Sequence, residues 1–267
     1  MTARRRIEFD HVSMSFTGPR GPMSVLDDVS FDIRDREFVS IIGPSGCGKT
    51  TMMSLLAGFL TPSRGTVKLD GRPVSGPGAD RGVMFQDYGV FPWLTVRENI
   101  EFGLKLKRNR LTRTARGEIS DRYMALMGLS DFAAAYPKTL SGGMRQRLAL
   151  ARAYAVKPEF LLMDEPFGAL DAQTRTDMQD LLLRVLYAEG KTVMLITHSV
   201  EEALYLSSQI IVVSARPARI RRVVQVPFPY PRSVSLLDEP EFGRIRSELR
   251  GIVMQEYAAQ KEQSRGS

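Results

Sequence analysis

Gly43-Pro-Ser-Gly-Cys-Gly-Lys-Thr50 follows the apolar run Phe38–Ile42 and precedes a helical pattern that continues through Leu56. A strand, a glycine-rich turn and a helix with the spacing G-x-x-x-x-G-K-[ST] are typical of a phosphate-binding loop. The glycines allow successive backbone amides to point at phosphate oxygens, and the start of the helix adds free N–H groups and a positive dipole end. We therefore predict a triphosphate site, with the Lys49 ammonium at the β- and γ-phosphates and the Thr50 hydroxyl on Mg²⁺.

The rest of this loop is predicted to surround the phosphates. Cys47 is the one cysteine of the chain, which excludes an intramolecular disulfide and a cysteine-cluster metal site. No partner base is evident for it, so we interpret it as a small filler rather than a nucleophile. The two histidines, His11 and His198, are too few for a histidine-rich zinc centre. The predicted nucleotide-binding residues of the loop are Gly43, Ser45, Gly46, Cys47, Gly48, Lys49, Thr50 and Thr51.

Short apolar runs alternate with longer helical segments along the chain, a pattern that favours an α/β fold with a largely parallel sheet. Alternating polar and apolar residues in the N-terminal part indicate half-exposed antiparallel strands instead. The predicted parallel strands are Phe38–Ile42, Phe160–Met163, Val193–Ile196 and Ile210–Val213, and the antiparallel ones are Ile7–Phe9, Val29–Ile33 and Thr66–Leu69. Three helices are predicted between Pro92 and Tyr154, at Val96–Lys107, Ala115–Met127 and Met144–Tyr154.

The expected architecture is an α/β P-loop NTPase core with a mostly parallel sheet, an N-terminal antiparallel β subdomain and an inserted α-helical subdomain. The main domain is predicted to span residues 1–226, with the helical subdomain at about 90–155, and residues 227–267 to form a connector and an amphipathic helix. Lys261–Ser267 is expected to be a frayed tail. Regulation, an interface and plain packing are all open as roles for the C-terminal helix. Its apolar side is predicted to carry Phe242, Ile245, Leu249 and Ile252.

The net charge of the 267-residue chain is +7, which admits a nucleotide, a nucleic acid or an anionic membrane surface as partner without choosing among them. The first residues are basic, but Ile7–Ser15 contains several polar and charged residues, so a signal peptide is not expected. No stretch approaches the roughly 18 apolar residues that a spanning helix needs. We therefore expect any work at a membrane to depend on partner proteins.

A pair of carboxylates follows the predicted strand in Phe160-Leu-Leu-Met-Asp164-Glu165. At the end of a buried strand, Asp164 is placed to hold Mg²⁺, and Glu165 is placed to polarise a water that attacks the γ-phosphate. In isolation, a strand that ends in solvated acids is common. Together with the phosphate-binding loop it indicates nucleotide hydrolysis, although kinases and GTPases share both features.

Leu140-Ser-Gly-Gly-Met-Arg-Gln-Arg147 narrows the class, because it resembles the signature motif of ABC (ATP-binding cassette) ATPases. Ser141 is predicted to cap a helix, and Gly142 and Gly143 to permit close approach of an anion to its N-terminus. Alone, such a turn would be an ordinary helix cap. One chain does not need two anion sites for one triphosphate, so we expect a head-to-tail dimer in which each signature serves the ATP bound by the other copy.

The resemblance implies roles for four further residues. Gln86 matches the glutamine that senses Mg²⁺ and water, and Asp171, in Gly168-Ala-Leu-Asp171, matches the loop that crosses the dimer interface. His198 matches the switch histidine that contacts the γ-phosphate, and Phe16 lies where the family places an aromatic ring against adenine. Ser199 departs from the family, since many members carry Asp there.

Within the family, the chain resembles the ATPase subunits of nitrate, sulfonate and taurine importers. The resemblance rests on Asp87–Val96, Gly143–Arg147, Arg216–Ile220 and the pair Pro231-Arg232. It implies a peripheral protein on the cytoplasmic face of the inner membrane, with two integral permease subunits and, through them, an extracytoplasmic solute-binding protein. Phe91 and Trp93 are predicted to dock the permease. The alternative is that they cap the core of the helical block.

A soluble ABC ATPase acting on nucleic acid or ribosomes is the rival interpretation, and the net positive charge is compatible with it. Such proteins usually carry two cassettes or a long coiled-coil insertion, which this sequence lacks, and this argues against nucleic acid as a partner. A P-loop small-molecule kinase would leave the signature, Gln86 and His198 without explanation. The sequence contains nothing that identifies the transported solute.

Overall fold

A computed structural model of the chain describes residues 5–18, 21–85, 88–106, 109, 111–168 and 170–265. The strands are β1 (Arg5–Gly18), β2 (Gly21–Arg34), β3 (Phe38–Ile42), β4 (Arg64–Leu69), β5 (Arg72–Pro73), β6 (Arg81–Met84), β7 (Phe160–Asp164), β8 (Thr192–Ile196), β9 (Gln209–Val213) and β10 (Ile220–Gln225). The helices are α1 (Lys49–Ala57), α2 (Val96–Leu104), α3 (Arg113–Leu126), α4 (Gly142–Ala155), α5 (Ala172–Glu189), α6 (Val200–Leu206) and α7 (Pro240–Arg265).

The chain divides into two compact units. We call Met1–Gly78 with Leu182–Ser267 the core unit, and Ala79–Leu181 the inserted unit. The predicted domain limits, 1–226 and 227–267, were drawn from sequence motifs, whereas these two units are defined by contacts within the fold. The predicted limits therefore stay a prediction.

The core unit contains both kinds of sheet that the sequence predicts. An antiparallel sheet has the order β2-β1-β4-β5. In the other sheet, β3 pairs in parallel with β8 and β9, and β10 is antiparallel to β9. Every residue of β3, β8 and β9 is buried, which explains their unbroken apolar sequences. The phosphate-binding loop therefore follows a strand with parallel neighbours on both sides, the usual place for a ligand in such sheets.

The inserted unit combines the parallel pair β6–β7 with helices α2, α3 and α4. Each helix begins at a hydroxyl side chain that caps its first turn: Thr95, Thr112 and Ser141. The cap of α2 is a capping box, in which Glu98 bonds back to the Thr95 backbone and these hydrogen bonds lower the pKa of Glu98. The predicted helical block is confirmed, although α2 ends at Leu104 and the predicted end, Lys107, lies outside the described residues.

The C-terminal helix differs from the prediction in two ways. The frayed tail from Lys261 is wrong, because α7 continues through Arg265. Val253, not Ile252, is the buried residue of its third apolar turn, while Ile252 is half-buried. The extension has a tertiary cause, since the Gln260 Nε2 donates a hydrogen bond of 2.9 Å to the carbonyl oxygen of Ser45.

Candidate functional site

The phosphate-binding loop is closed on its inner side and open on its outer side. Gly46 and Gly48 have φ values of 72° and 125°, which side chains rarely adopt. A β-carbon at Gly48 would lie 2.8 Å from Leu26 Cδ2 and 2.9 Å from Val25 Cγ1, whereas one at Gly46 would meet no atom within 4 Å. The backbone at Gly46 is therefore open to a phosphate, while Gly48 allows the loop to pack tightly on β2.

The charged and polar groups of the loop agree with phosphate binding. Helix α1, all of whose residues are described, has no acidic residue in its first turn and no side-chain cap at Gly48. The ammonium of Lys49 is buried and donates to the carbonyl oxygens of Gly43 (2.9 Å) and Pro44 (2.8 Å), which holds it along the loop. Burial raises the pKa of the Cys47 thiol, so the neutral thiol suits a packing role rather than a nucleophilic one.

Phe16 belongs to a hairpin that contacts the phosphate-binding loop. It is half-buried on β1 and pairs with Met23 of β2. Farther along β2, Val25 and Leu26 are the residues that pack on Gly48. The predicted adenine-stacking ring and the predicted phosphate loop are thus joined through one strand of the core unit.

His198 follows β8 in a loop that is tied to the end of β3. The Thr197 N–H donates to the carbonyl oxygen of Ile41 (3.3 Å), two residues before the phosphate-binding loop. The Thr197 hydroxyl donates to the buried carboxylate of Glu202 (2.6 Å) and accepts from the Ser199 N–H (3.0 Å). The imidazole itself is exposed. The hydrogen bonds of Thr197 therefore fix the backbone beside His198, whose side chain lies at the surface, as expected for a residue that contacts a ligand.

The two carboxylates lie at the end of β7 in the inserted unit. Asp164 is the last residue of the strand and is buried, and Glu165 follows with a φ of 45°. A left-handed glutamate costs on the order of 1 kcal/mol or more, and such residues concentrate at functional sites. The unfavourable backbone at the residue predicted to act on water supports its interpretation as a catalytic group.

The signature turn packs against the start of α5. Ser141 Oγ accepts a hydrogen bond of 3.2 Å from a backbone N–H in the first turn of α4, as predicted. A β-carbon on Gly143 would lie 2.7 Å from Thr174 Cγ2, whereas one on Gly142 would meet nothing within 4 Å. Asp171 caps α5 by accepting from the Thr174 N–H (2.9 Å), and this hydrogen bond lowers the pKa of its carboxyl. Gly142 is therefore the residue at the N-terminus of α4 that leaves room for a ligand. The predicted Mg²⁺-sensing residue, Gln86, lies outside the described residues.

Known proteins share this combination of motifs. The family model for the ABC transporter matches residues 26–168. The chain belongs to the ABC transporter family. It is an ATP-binding cassette that binds and hydrolyses ATP, and the resemblance inferred from the signature is confirmed.

Relatives of this ABC protein match along nearly its whole length. An ATP-binding protein of Brucella abortus (strain 2308), BAB2_1147, is 51% identical over 259 residues, or 97% of each chain. The taurine import ATP-binding protein TauB of Jannaschia sp. (strain CCS1) is 45% identical and covers 91% of this chain and 92% of its own. The nitrate import ATP-binding protein NrtD of Synechocystis sp. (strain ATCC 27184 / PCC 6803 / Kazusa) is 42% identical and covers 92% and 94%.

The ABC fold is shown by solved structures as well. A dimeric post-hydrolysis state of the ATP-binding cassette MJ0796, bound to ADP and Pi, superimposes with a TM-score of 0.74 at 30% identity. It covers 84% of this chain and 100% of the cassette. No helix among the described residues is both long enough and apolar enough to cross a membrane.

Sequence reasoning missed the contact between α7 and the phosphate-binding loop. Gln260 makes this contact, and the buried carboxylate of Glu256 ties α7 to another segment by accepting from the Ala215 N–H (3.2 Å) and the Arg221 guanidinium (2.6 Å). Glu256 and Gln260 are one helical turn apart, so they share a face. The helical pattern contained that spacing, but it does not reveal which distant segment the face contacts.

Proposed function

We propose that this chain is the motor subunit of an importer that takes up a small anion or organic solute, of the kind transported by nitrate, sulfonate and taurine systems. Its similarity to the importer proteins NrtD and TauB over at least nine-tenths of its length supports this assignment. The observation that carries it is an exposed aromatic cluster on the inserted unit, at the sequence position predicted to dock a permease.

The aromatic cluster consists of Phe91, Trp93 and Phe102. The Phe91 ring lies 5.4 Å from Trp93 and 4.4 Å from Phe102, and the Arg152 guanidinium lies 4.3 Å above its centroid. Phe91 is therefore half-buried between neighbours, and the alternative role of capping the helical block suits it. Trp93 is different, because 68% of its surface is exposed. An exposed tryptophan on an aromatic base is typical of a binding hot spot, so we assign permease docking to Trp93.

Roles in ATP hydrolysis follow from the chemistry of each side chain. Lys49 neutralises the β- and γ-phosphates, and the backbone at Gly43, Ser45, Gly46, Cys47, Gly48 and Thr51 surrounds them. The Glu165 carboxylate accepts a hydrogen bond from the water that attacks the γ-phosphorus, and takes its proton as the bond to the β-phosphate breaks. The His198 imidazole donates to the γ-phosphate, and Phe16 stacks on adenine.

The residues assigned to Mg²⁺ offer the hard oxygen donors that this ion prefers, since Asp164 ends β7 with a carboxylate and Thr50, an exposed residue of α1, carries a hydroxyl. Gln86 is assigned the sensing of this ion and of water. When bound, Mg²⁺ neutralises charge that develops on the phosphate oxygens.

A head-to-tail dimer that binds two Mg-ATP would place a ligand at the N-terminus of α4. Gly142 faces open space at the beginning of α4, and Ser141, Gly142 and Gly143 would bind the triphosphate held by the other copy. Asp171 is assigned to the same interface, where it is exposed. The dimeric state of the similar cassette MJ0796 supports this arrangement.

The proposed assembly contains two copies of this chain, two permease subunits and an extracytoplasmic binding protein, with the motor on the cytoplasmic face of the inner membrane. The first test is affinity purification of the tagged chain from native membranes in mild detergent, followed by mass spectrometry. An integral membrane protein accompanied by a solute-binding protein is expected. Ribosomal or DNA-associated proteins with no membrane partner would overturn the importer assignment and favour the soluble rival.

Trp93→Ala makes the same test specific to the docking site. We expect basal ATPase activity to be retained and co-purification of the permease to fall at least tenfold, as for loss of a hot-spot tryptophan. Phe132→Ala is the matched control, because Phe132 is an aromatic residue of the same unit, 42% exposed, outside the cluster. Equal recovery of permease with both variants would contradict the docking role of Trp93.

A further inference from the structure

A cavity of about 500 Å³ lies on the core unit between the segment that starts α6 and the outer face of α7. One wall contains His198 and Ser199, and the other contains Arg246 and Arg250. The ATPase roles assigned above use only His198 from this set. The other lining residues have no place in ATP binding or hydrolysis, so the cavity needs an explanation of its own.

The polar groups of the cavity are mainly hydrogen-bond donors. Arg246 is paired with Glu201 at 2.8 Å. Arg250 is exposed and makes no ion pair within the part of the chain that the structure describes. The Ser199 oxygen accepts the Glu202 N–H at 3.2 Å, which leaves its own proton to donate. Because one of two guanidinium groups is uncompensated and a hydroxyl lies opposite, the site favours an oxyanion.

Apolar side chains complete the lining. Val200, Val253 and Met254 contribute aliphatic surface, and Met254 is 59% exposed. The volume falls within the roughly 300–1,000 Å³ of small-molecule sites and exceeds what an inorganic oxyanion fills. The chemistry therefore fits an organic anion whose charged end meets Arg250 and whose aliphatic part lies on α7.

We propose that this cavity is a regulatory site for a small organic oxyanion, a carboxylate or sulfonate with a short apolar body, and that its occupation slows ATP turnover. The inference rests on the proposed role of His198 at the γ-phosphate. The bound anion holds the His198 loop against α7, so the imidazole is less able to follow the γ-phosphate during hydrolysis and kcat falls. Lys49 and the loop amides still bind ATP, so its affinity is unchanged.

The same helix carries the effect to the phosphate-binding loop. Gln260, at the far end of α7, donates to the Ser45 carbonyl at 2.9 Å, about 15 Å along the helix from Arg250. An anion held between Arg250 and Ser199 fastens α7 to the His198 loop. Both sides of the nucleotide site in the core unit are then connected through one rigid helix.

The test is calorimetric titration of the purified chain with butanesulfonate and butyrate, with butylammonium as the control of opposite charge and inorganic sulfate as the control without an apolar body. We expect both organic anions to bind, and Arg250→Gln to weaken them about tenfold or more, as for loss of a charge-assisted hydrogen bond. Arg244→Gln is the matched control, because Arg244 lies on the same helix, pairs with Glu241 at 2.7 Å and is outside the cavity. Butanesulfonate should lower kcat in the wild type and in Arg244→Gln, but not in Arg250→Gln, with the KM for ATP unchanged.

Binding of butylammonium, equal binding by Arg250→Gln or equal affinity for sulfate would each overturn the proposal. Loss of butanesulfonate binding when ATP drives dimerisation would show that a second copy fills the cavity, and would overturn it too. The calorimetry needs no nucleotide, so it tests the regulatory site independently of the proposed ATPase roles. Normal basal turnover without anion binding refutes the regulatory site alone, whereas anion binding without basal turnover refutes the ATPase roles alone.

Discussion

Asn99 supports the loop that presents the aromatic cluster, and its removal tests whether that loop must be rigid. The side chain is fully buried at the start of α2. Its Oδ1 accepts from the Phe91 N–H (2.8 Å), and its Nδ2 lies within hydrogen-bond distance of the carbonyl oxygens of Phe91 (3.1 Å), Leu94 (2.9 Å) and Thr95 (3.0 Å). Asn99→Leu keeps the approximate volume and removes every one of these bonds.

The magnitude follows from the capacity of the amide. Two N–H groups and one carbonyl oxygen make three full hydrogen bonds, each contributing about 1 kcal/mol net. We therefore expect Asn99→Leu to destabilise the loop by about 3 kcal/mol, or roughly 150-fold in its opening equilibrium. Hydrogen exchange of the Phe91 amide should accelerate by that factor, because its acceptor is lost.

The functional expectation is selective. Basal ATPase activity should persist, while permease recovery should fall as it does for Trp93→Ala, since the tryptophan is no longer held in place. Asn109→Ala is the control, because the Asn109 amide donates to the Gly103 carbonyl oxygen at 2.7 Å, and the loss of this one bond should cost about 1 kcal/mol. Wild-type exchange at Phe91 in Asn99→Leu would refute the structural reasoning. Fast exchange with full permease recovery would refute the need for a rigid loop.

Three further predictions concern the nucleotide site. Glu165→Gln should lower kcat at least ~100-fold while ATP still binds and traps the dimer, measured by turnover and gel filtration; wild-type turnover would remove Glu165 from its role. Gly46→Ala should weaken ATP binding and lower the free energy of unfolding by only about 1–2 kcal/mol. Gly48→Ala should lower the free energy of unfolding by about 2–5 kcal/mol, because its β-carbon also meets core side chains. Equal urea midpoints for the two variants would contradict this difference. Because the pKa of Asp171 is lowered in the folded chain, its stabilising effect is present above the unfolded pKa of about 3.9 and is lost as pH falls through the folded value. Asp171→Asn should keep the helix cap and reduce the loss of unfolding free energy at acid pH. An unchanged pH dependence of the unfolding free energy would show that the Thr174 N–H does not stabilise the carboxylate.

Some boundaries were predictable and others were not, for a reason visible in the antiparallel sheet. The parallel strands β3, β7, β8 and β9 agree with the predictions to within one residue at each end, because buried strands give unbroken apolar runs. β1 and β2 are 14 residues each, far longer than the predicted segments. Register shifts near His11 and Asp28, whose φ values are 49° and 52°, interrupt the alternation that would have shown their length.

By itself the sequence determined the ABC cassette, because glycines, a lysine and capping residues at fixed local spacing create helix starts that bind phosphate wherever the surrounding strands are buried. Only the tertiary structure decided that Trp93 is exposed while Phe91 is packed, that Asn99 holds their loop, and that Gln260 contacts Ser45. The Gln260–Ser45 contact joins residues 215 positions apart. Helical periodicity identifies which residues share a face, but it contains no information about the distant segment that the face meets.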